Sequence, residues 1–217
     1  RGTRGDDLIA HSWVLRYSTA RDVPQYRPVE NGFPLSIPCE KHVTGQKVAD
    51  MTRRKPFEIA GRSIPPGLRA TVDLPVTVQS DHTPVNLSVH VIHGAKDGPT
   101  MFVSAGVHGD EVIGVEIVRR LLRVQSLNRL NGTLLVVPIV NSFGFQSHSR
   151  YLPDRRDLNR SFPGHPTGSL ASRLAHIFLT EVVMRAELGI DLHSAAVHRT
   201  NLPQIRISPG SDKLMDL

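Results

Sequence analysis

Three short apolar segments, residues 100–105, 133–140 and 188–192, constrain this chain more than any other feature. They alternate with two stretches of helical period, and polar residues follow each of them. Short apolar runs with little alternation are typical of strands buried on both faces. Strand, helix, strand, helix, strand is the grammar of a mainly parallel or mixed α/β sheet with helices on both faces. Such sheets place ligands beyond the carboxyl ends of their strands. Polar residues just after these three segments therefore carry more weight than polar residues elsewhere.

The first helix is expected over residues 111–124. The second is expected over residues 168–185, with Thr167 as N-cap and Leu170, Leu174, Ile177, Phe178 and Val182 spaced for one buried face. Upstream, residues 71–78 and 85–92 read as two strands around a polar turn at residues 79–82, which predicts a hairpin at the edge of the domain. Residues 204–208 read as one more strand. Residues 1–69 are rich in Pro, Gly, Arg and Lys without a sustained period, so an irregular arm with short strands is expected there and the main domain is expected over 70–217. The stretch 142–166 holds Gly144, Pro153, Pro163, Gly164 and Pro166 and shows no clear period. Long loops in compact domains are usually functional or disordered.

Composition removes several classes. The 217 residues include one cysteine, Cys39, so neither a disulfide framework nor a C-x-x-C thiolate site is available. No apolar run approaches the roughly 20 residues that span a bilayer, and the start carries Arg1, Arg4, Asp6 and Asp7. A membrane partner is therefore not expected, and a cytoplasmic location is. The net charge is +6, but the basic residues are scattered and only 5% of residues are aromatic. Nucleic acid is thus not the favoured partner.

The chemistry concentrates at the strand ends. His108 and Glu111 follow the first apolar segment at a spacing of three, with Gly109 allowing a tight turn between them. Taken alone, an H-x-x-E is weak. His193 changes its weight, because it ends another expected buried strand. Two His and one Glu from neighbouring strand ends give three protein ligands with a fourth position open, the form of a catalytic zinc site. Asp157 and Asp191 are candidates to orient those imidazoles by accepting the second ring N–H, with a local cap as the other reading of Asp191. The loop offers Arg150, Arg155, Arg156 and Arg160. A solvated surface suits Arg155 and Arg156. An Arg such as Arg150 can stabilise an oxyanion, and an Arg with a neighbouring Asn, as in Asn159-Arg160, can clamp a carboxylate. The residues alone leave those two roles open against a solvated surface.

His108-Gly109-Asp110-Glu111, Arg150-Tyr151, Asp157-Leu158-Asn159-Arg160 followed by Phe162-Pro163-Gly164, and Asp191-Leu192-His193 together resemble the succinylglutamate desuccinylase/aspartoacylase family, relatives of the zinc carboxypeptidases. The resemblance is ordered and spans residues 100–194. It implies one zinc ion per chain on His108, Glu111 and His193, oxyanion stabilisation by Arg150, and a carboxylate clamp from Asn159 and Arg160. It also implies a place near the substrate for Asn141, and support of a metal-binding imidazole by Asp157. The implied activity is hydrolysis of an amide bond in a small N-acylated amino acid or related carboxylate. A zinc carboxypeptidase acting on peptides and a metal-binding relative without turnover are the alternatives. His148 and His198 lie close enough in sequence to line the pocket, while His11, His42, His82, His90, His93, His165 and His176 are expected in ordinary surface or packing roles.

In one respect the sequence departs from the family pattern. The family uses a Glu downstream of the last metal-binding His as general base, whereas residues 194–217 contain no Glu and only Asp212 and Asp216 as carboxylates. Residues 70–217 are therefore expected to be an incomplete catalytic domain, truncated at the C-terminus before that Glu.

Overall fold

In a computed structural model, residues 54–206 are described, together with the backbone of a short strand at residues 14–16. The described strands are β1 (Val14–Arg16), β2 (Phe57–Ile59), β3 (Arg62–Ile64), β4 (Leu68–Val78), β5 (Pro84–His93), β6 (Lys96–Ala105), β7 (Asn131–Val137), β8 (Leu188–His193) and β9 (Gln204–Arg206). The helices are α1 (Val112–Leu121), α2 (Ser142–Gln146) and α3 (Leu170–Glu181). No helix among the described residues is long and apolar enough to cross a membrane.

Seven strands form one sheet in the order β4-β5-β7-β6-β8-β1-β9, and β2 pairs with β3 in a separate hairpin. β6 lies parallel to both β7 and β8, while β5 pairs antiparallel with both β4 and β7 along one side. The sheet is therefore mixed with a parallel centre. The three central strands end at Ala105, Val137 and His193 on one edge, as the register Ser104↔Val137 and Ala105↔Leu192 requires.

Alternate side chains on the central strands go to opposite faces. Phe102, Leu135 and Val137 join one core cluster with Ala171, Leu174, Ala175 and Phe178 of α3. Val103, Ala105, Leu134 and Val136 join the other with Val118 of α1. Helices thus cover both faces, which is why these strands carry apolar residues at nearly every position. A glycine on β8 lets the layers close: a Cβ on Gly189 would fall 2.0 Å from the ring of Phe102, its partner on β6.

Element boundaries differ from the sequence-based expectation for local reasons. The first helix runs only over Val112–Leu121, because Glu111 turns its carboxylate away from the helix toward the two histidines, and the chain tightens into a 3-10 turn at Gln125–Arg129. Ser169, not Thr167, caps α3, its hydroxyl accepting from the Ser172 N–H, and Val182 ends that helix ahead of a 3-10 turn at Val183–Arg185. The expected strand 133–140 stops at Val137, where Val140 and Asn141 instead donate to Ala105 and Gly106. The stretch 142–166 contains α2 and a 3-10 turn at Leu158–Arg160. Within the expected arm, the β2–β3 hairpin buries Ile59 and Ile64 in the core cluster under α3. The last expected strand is present as β9, and residues 207–208 of it lie outside the described residues.

Candidate metal centre

The edge where β6 and β8 end holds three polar side chains that the fold removes from water. His108 is 2% exposed, Glu111 4% and His193 4%. His108 and Glu111 lie in the connection from β6 to α1, and His193 is the last residue of β8. Nδ1 of His108 is 2.8 Å from Oε1 of Glu111, and Nδ1 of His193 is 2.9 Å from Oε2 of the same carboxylate. The Ser194 N–H donates to Oε2 at 2.9 Å. One ligand atom from each of the three side chains lies within 4.8 Å of the other two.

Each imidazole gives its other nitrogen to an aspartate. Nε2 of His108 is 3.1 Å from Oδ1 of Asp157, and Nε2 of His193 is 2.6 Å from Oδ2 of Asp191. Both rings are therefore turned with Nδ1 inward, the orientation that outer carboxylates impose on metal-binding histidines. Asp157 is itself fixed, accepting from the Asn159 N–H at 2.9 Å and lying 3.0 Å from Nη2 of Arg150. Nη1 of Arg150 also reaches Oε1 of Glu111 at 3.4 Å.

The charge states follow from these contacts. Burial works against ionising Glu111, but hydrogen bonds and charge from His108 and His193 outweigh it and hold the carboxyl at about 2. Burial likewise opposes a proton on His193, yet the Asp191 and Glu111 carboxylates raise it to about 9. Asp157 is held below the usual range: burial is opposed by His108, Arg150 and the Asn159 N–H. In the metal-free protein a proton on His193 thus balances part of the buried anionic charge, and a cation at the same point would do so as well.

Close backbone packing sets the turn that carries His108 and Glu111. A Cβ on Gly109 would lie 1.8 Å from the carbonyl carbon of Gly144, so only glycine fits here. Gly144 is the residue whose N–H is capped by Asn141, at 2.9 Å to Oδ1, and the Gly109 N–H donates to the Ser149 carbonyl at 3.1 Å. Asn141 is completely buried and is the N-cap of α2. It supports the loop behind the site and does not line the pocket.

A pocket of about 520 Å³ opens over the centre. His108, Glu111, Arg150 and His193 line it, joined by Asp110 and Tyr151 of the same motifs and by residues that no motif singles out, Ser194, Arg199, Asn201 and Arg206 among them. Arg199 and Arg206 add two guanidiniums to the one from Arg150, and no sequence signal marks them, because their place depends on how the chain returns after β8. Asn159 and Arg160 are not in the pocket wall; Arg160 is exposed and its guanidinium reaches the Asn159 carbonyl at 3.5 Å. His148 and His198 are exposed and do not line it either. A second cavity, at the far end of the sheet, surrounds buried His93, whose ring nitrogens meet Thr133 and the Lys55 carbonyl, and Arg54, which caps the Gly94 and Gly132 carbonyls. Those contacts are a packing arrangement.

Two imidazole nitrogens and one ionised carboxylate, with both outer nitrogens held by aspartates, form a donor set that suits zinc better than magnesium, which takes oxygen ligands. The protein itself has the chemistry to hold such an ion at His108, Glu111 and His193.

Several known proteins are similar to this chain. Over 99 residues the chain is 34% identical to N-alpha-acetyl-L-2,4-diaminobutyric acid deacetylase of Halomonas elongata, covering 45% of this chain and 29% of that protein. Over 130 residues it is 30% identical to succinylglutamate desuccinylase of Pseudomonas aeruginosa, covering 55% of this chain and 38% of that one. The matches thus span well under half the length of these relatives. Among solved structures, a succinylglutamate desuccinylase/aspartoacylase from Rhodobacter sphaeroides superposes with a TM-score of 0.54 at 31% identity, covering 59% of this chain and 41% of that one. The product-bound ectoine utilization protein EutE (DoeB) from Ruegeria pomeroyi gives 0.51 at 31% identity, covering 57% and 38%. The profile of the succinylglutamate desuccinylase/aspartoacylase catalytic domain matches residues 97–216, more than half of the sequence and every residue of the buried His-Glu-His centre, and the chain belongs to that family.

Proposed function

We propose that this chain carries the metal-binding part of a zinc-dependent amidohydrolase that removes the acyl group from a small N-acylated amino acid or related carboxylate. The observation that supports it most is the convergence of His108 Nδ1, His193 Nδ1 and the Glu111 carboxylate on one buried point beneath an open pocket. Bound there, one zinc ion per chain would supply Lewis acidity toward the scissile carbonyl and toward water.

The chain's own residues divide the remaining work. Asp157 and Asp191 keep each imidazole in the tautomer that presents Nδ1. Arg150, held by Asp157 at the pocket wall, is the proposed stabiliser of negative charge on the scissile carbonyl oxygen. Asn159 and Arg160 are the proposed carboxylate clamp, from the same loop, and Arg160 is exposed and able to meet a substrate anion. Asn141 contributes by fixing the loop that backs Gly109. Arg199 and Arg206 add positive charge to the pocket wall, which suits an anionic substrate. Glu111 is committed to two imidazoles, and the proton transfer is assigned to no described residue. A cytoplasmic setting suits a chain with one cysteine.

Paired assays on the enzyme containing this chain test the reading: release of amino acid from N-acetyl and N-succinyl amino acids, and release of C-terminal residues from peptides. Zinc-dependent turnover of the N-acyl amino acids alone is expected. Turnover confined to peptides would replace the deacylase with a carboxypeptidase.

A further inference from the structure

Asp191 depends on a neighbour that no motif marks. Its Oδ2 accepts from Nε2 of His193 at 2.6 Å, while its Oδ1 accepts from the hydroxyl of Ser104 at 2.8 Å. Ser104 is 0% exposed and stands directly across from Asp191 in the parallel β6–β8 register. A buried serine hydroxyl needs a partner, and this one donates to the only side chain that touches the outer nitrogen of His193 among the described residues.

The two halves of the centre are supported differently. Asp157 lies in a loop and is held by the Asn159 N–H and by the Arg150 guanidinium. Asp191 lies on a strand, where the backbone is fixed but the carboxyl is free to rotate about χ2. Among the described residues, the hydroxyl of Ser104 is the donor that pins the carboxyl in the plane that meets His193. We infer that Ser104 is a positioning residue for the metal centre, acting through Asp191 to hold the His193 imidazole with Nδ1 toward Glu111.

This rests on the proposed zinc site, and the consequence is graded. Outer-layer partners of metal-binding histidines typically control about 10- to 100-fold in metal affinity, so a residue one step further out should control about three- to tenfold. The effect must also vanish when Asp191 is gone, because the hydroxyl then has nothing to orient.

Zinc affinity measured by chelator competition on the wild type, Ser104→Ala, Asp191→Ala and the double variant tests this without any turnover. The expected result is about three- to tenfold weaker binding on Ser104→Ala in the wild-type background and no further loss in the Asp191→Ala background. Ser104→Thr and Ser104→Val give the same contrast if the smaller variant folds poorly. They have nearly the same volume, and Thr should retain affinity where Val loses it. An unchanged affinity in Ser104→Ala, an equal loss in both Asp191 backgrounds, or equal behaviour of Thr and Val would overturn the role of Ser104 while leaving the zinc site standing. Failure of the wild type to bind zinc would overturn the site itself and this role with it.

Discussion

The Asp157 carboxylate stands 3.1 Å from Nε2 of His108, which leaves Nδ1 of that ring to face Glu111. One loop residue, 49 positions further along the chain, thereby decides which nitrogen of a strand-end histidine can bind a metal. Removing it as Asp157→Ala should weaken zinc binding by about 10- to 100-fold, measured by competition with a chromophoric chelator. An unchanged affinity would mean that the ring is held by its packing alone.

Under the proposed deacylase activity, Arg150 and Arg160 should separate kinetically. Arg150 lies in the pocket wall, so Arg150→Ala should lower kcat by roughly a hundredfold with little change in KM, because oxyanion charge develops only in the transition state. Arg160→Ala should mainly raise KM for anionic substrates, because a clamp holds a charge present throughout. Steady-state kinetics on an N-acyl amino acid and on its amide-capped analogue read both, and an unaltered KM in Arg160→Ala would remove the clamp.

Gly109→Ala should disturb the centre from behind. A methyl group there would sit 1.8 Å from the backbone of Gly144, so the loop must move, at a cost of about 1–3 kcal/mol or more. The variant should melt lower and bind zinc more weakly, since the residue lies between His108 and Glu111. Thermal unfolding followed with and without zinc measures both effects.

The side chains tied to strand ends are the ones legible in the sequence. His108, Glu111 and His193 stand out because buried parallel strands are written in uninterrupted apolar residues, and the polar residue that ends such a run is conspicuous. Asp157 and Asp191 follow from their short offsets to other marked residues. Ser104 is invisible there, because a serine inside an apolar strand reads as a tolerated small residue until its cross-strand partner is known. The cationic wall of Arg199 and Arg206 is equally hidden, as it depends on how the chain returns after β8 to pair β9 with β1. Asn141 is conspicuous by position but not by role. A side chain at a strand end can face the ligand or cap the next helix, and only the fold shows that its oxygen meets the Gly144 N–H. The β2–β3 hairpin has no readable bounds within the arm of short strands expected there, because three-residue strands are too short for a period to show.

The metal-free protein should respond to pH in a defined way. The folded pKa of His193, about 9, lies above its ordinary value of 6.5. The stability that this proton lends is full below about pH 6.5 and is lost as pH rises through 9. Glu111, at about 2, acts in the opposite direction: its contribution is present above about pH 4.5 and is lost as pH falls toward 2. Melting temperatures of the metal-free form should therefore be highest between these limits, at mildly acidic pH. Zinc should compete with the His193 proton, so its apparent affinity should climb as pH rises toward 9. A flat melting profile across that same range would contradict the charge state given to His193.

The most direct test is the zinc content of the purified protein after dialysis against metal-free buffer, measured by elemental analysis beside a His108→Ala, His193→Ala double variant of confirmed fold. One zinc per chain in the wild type and essentially none in the double variant is the expected result, because a lone Glu111 carboxylate cannot retain the ion. Full zinc occupancy in the double variant, or none in the wild type even after zinc is supplied, would contradict the assignment of the metal to His108, Glu111 and His193.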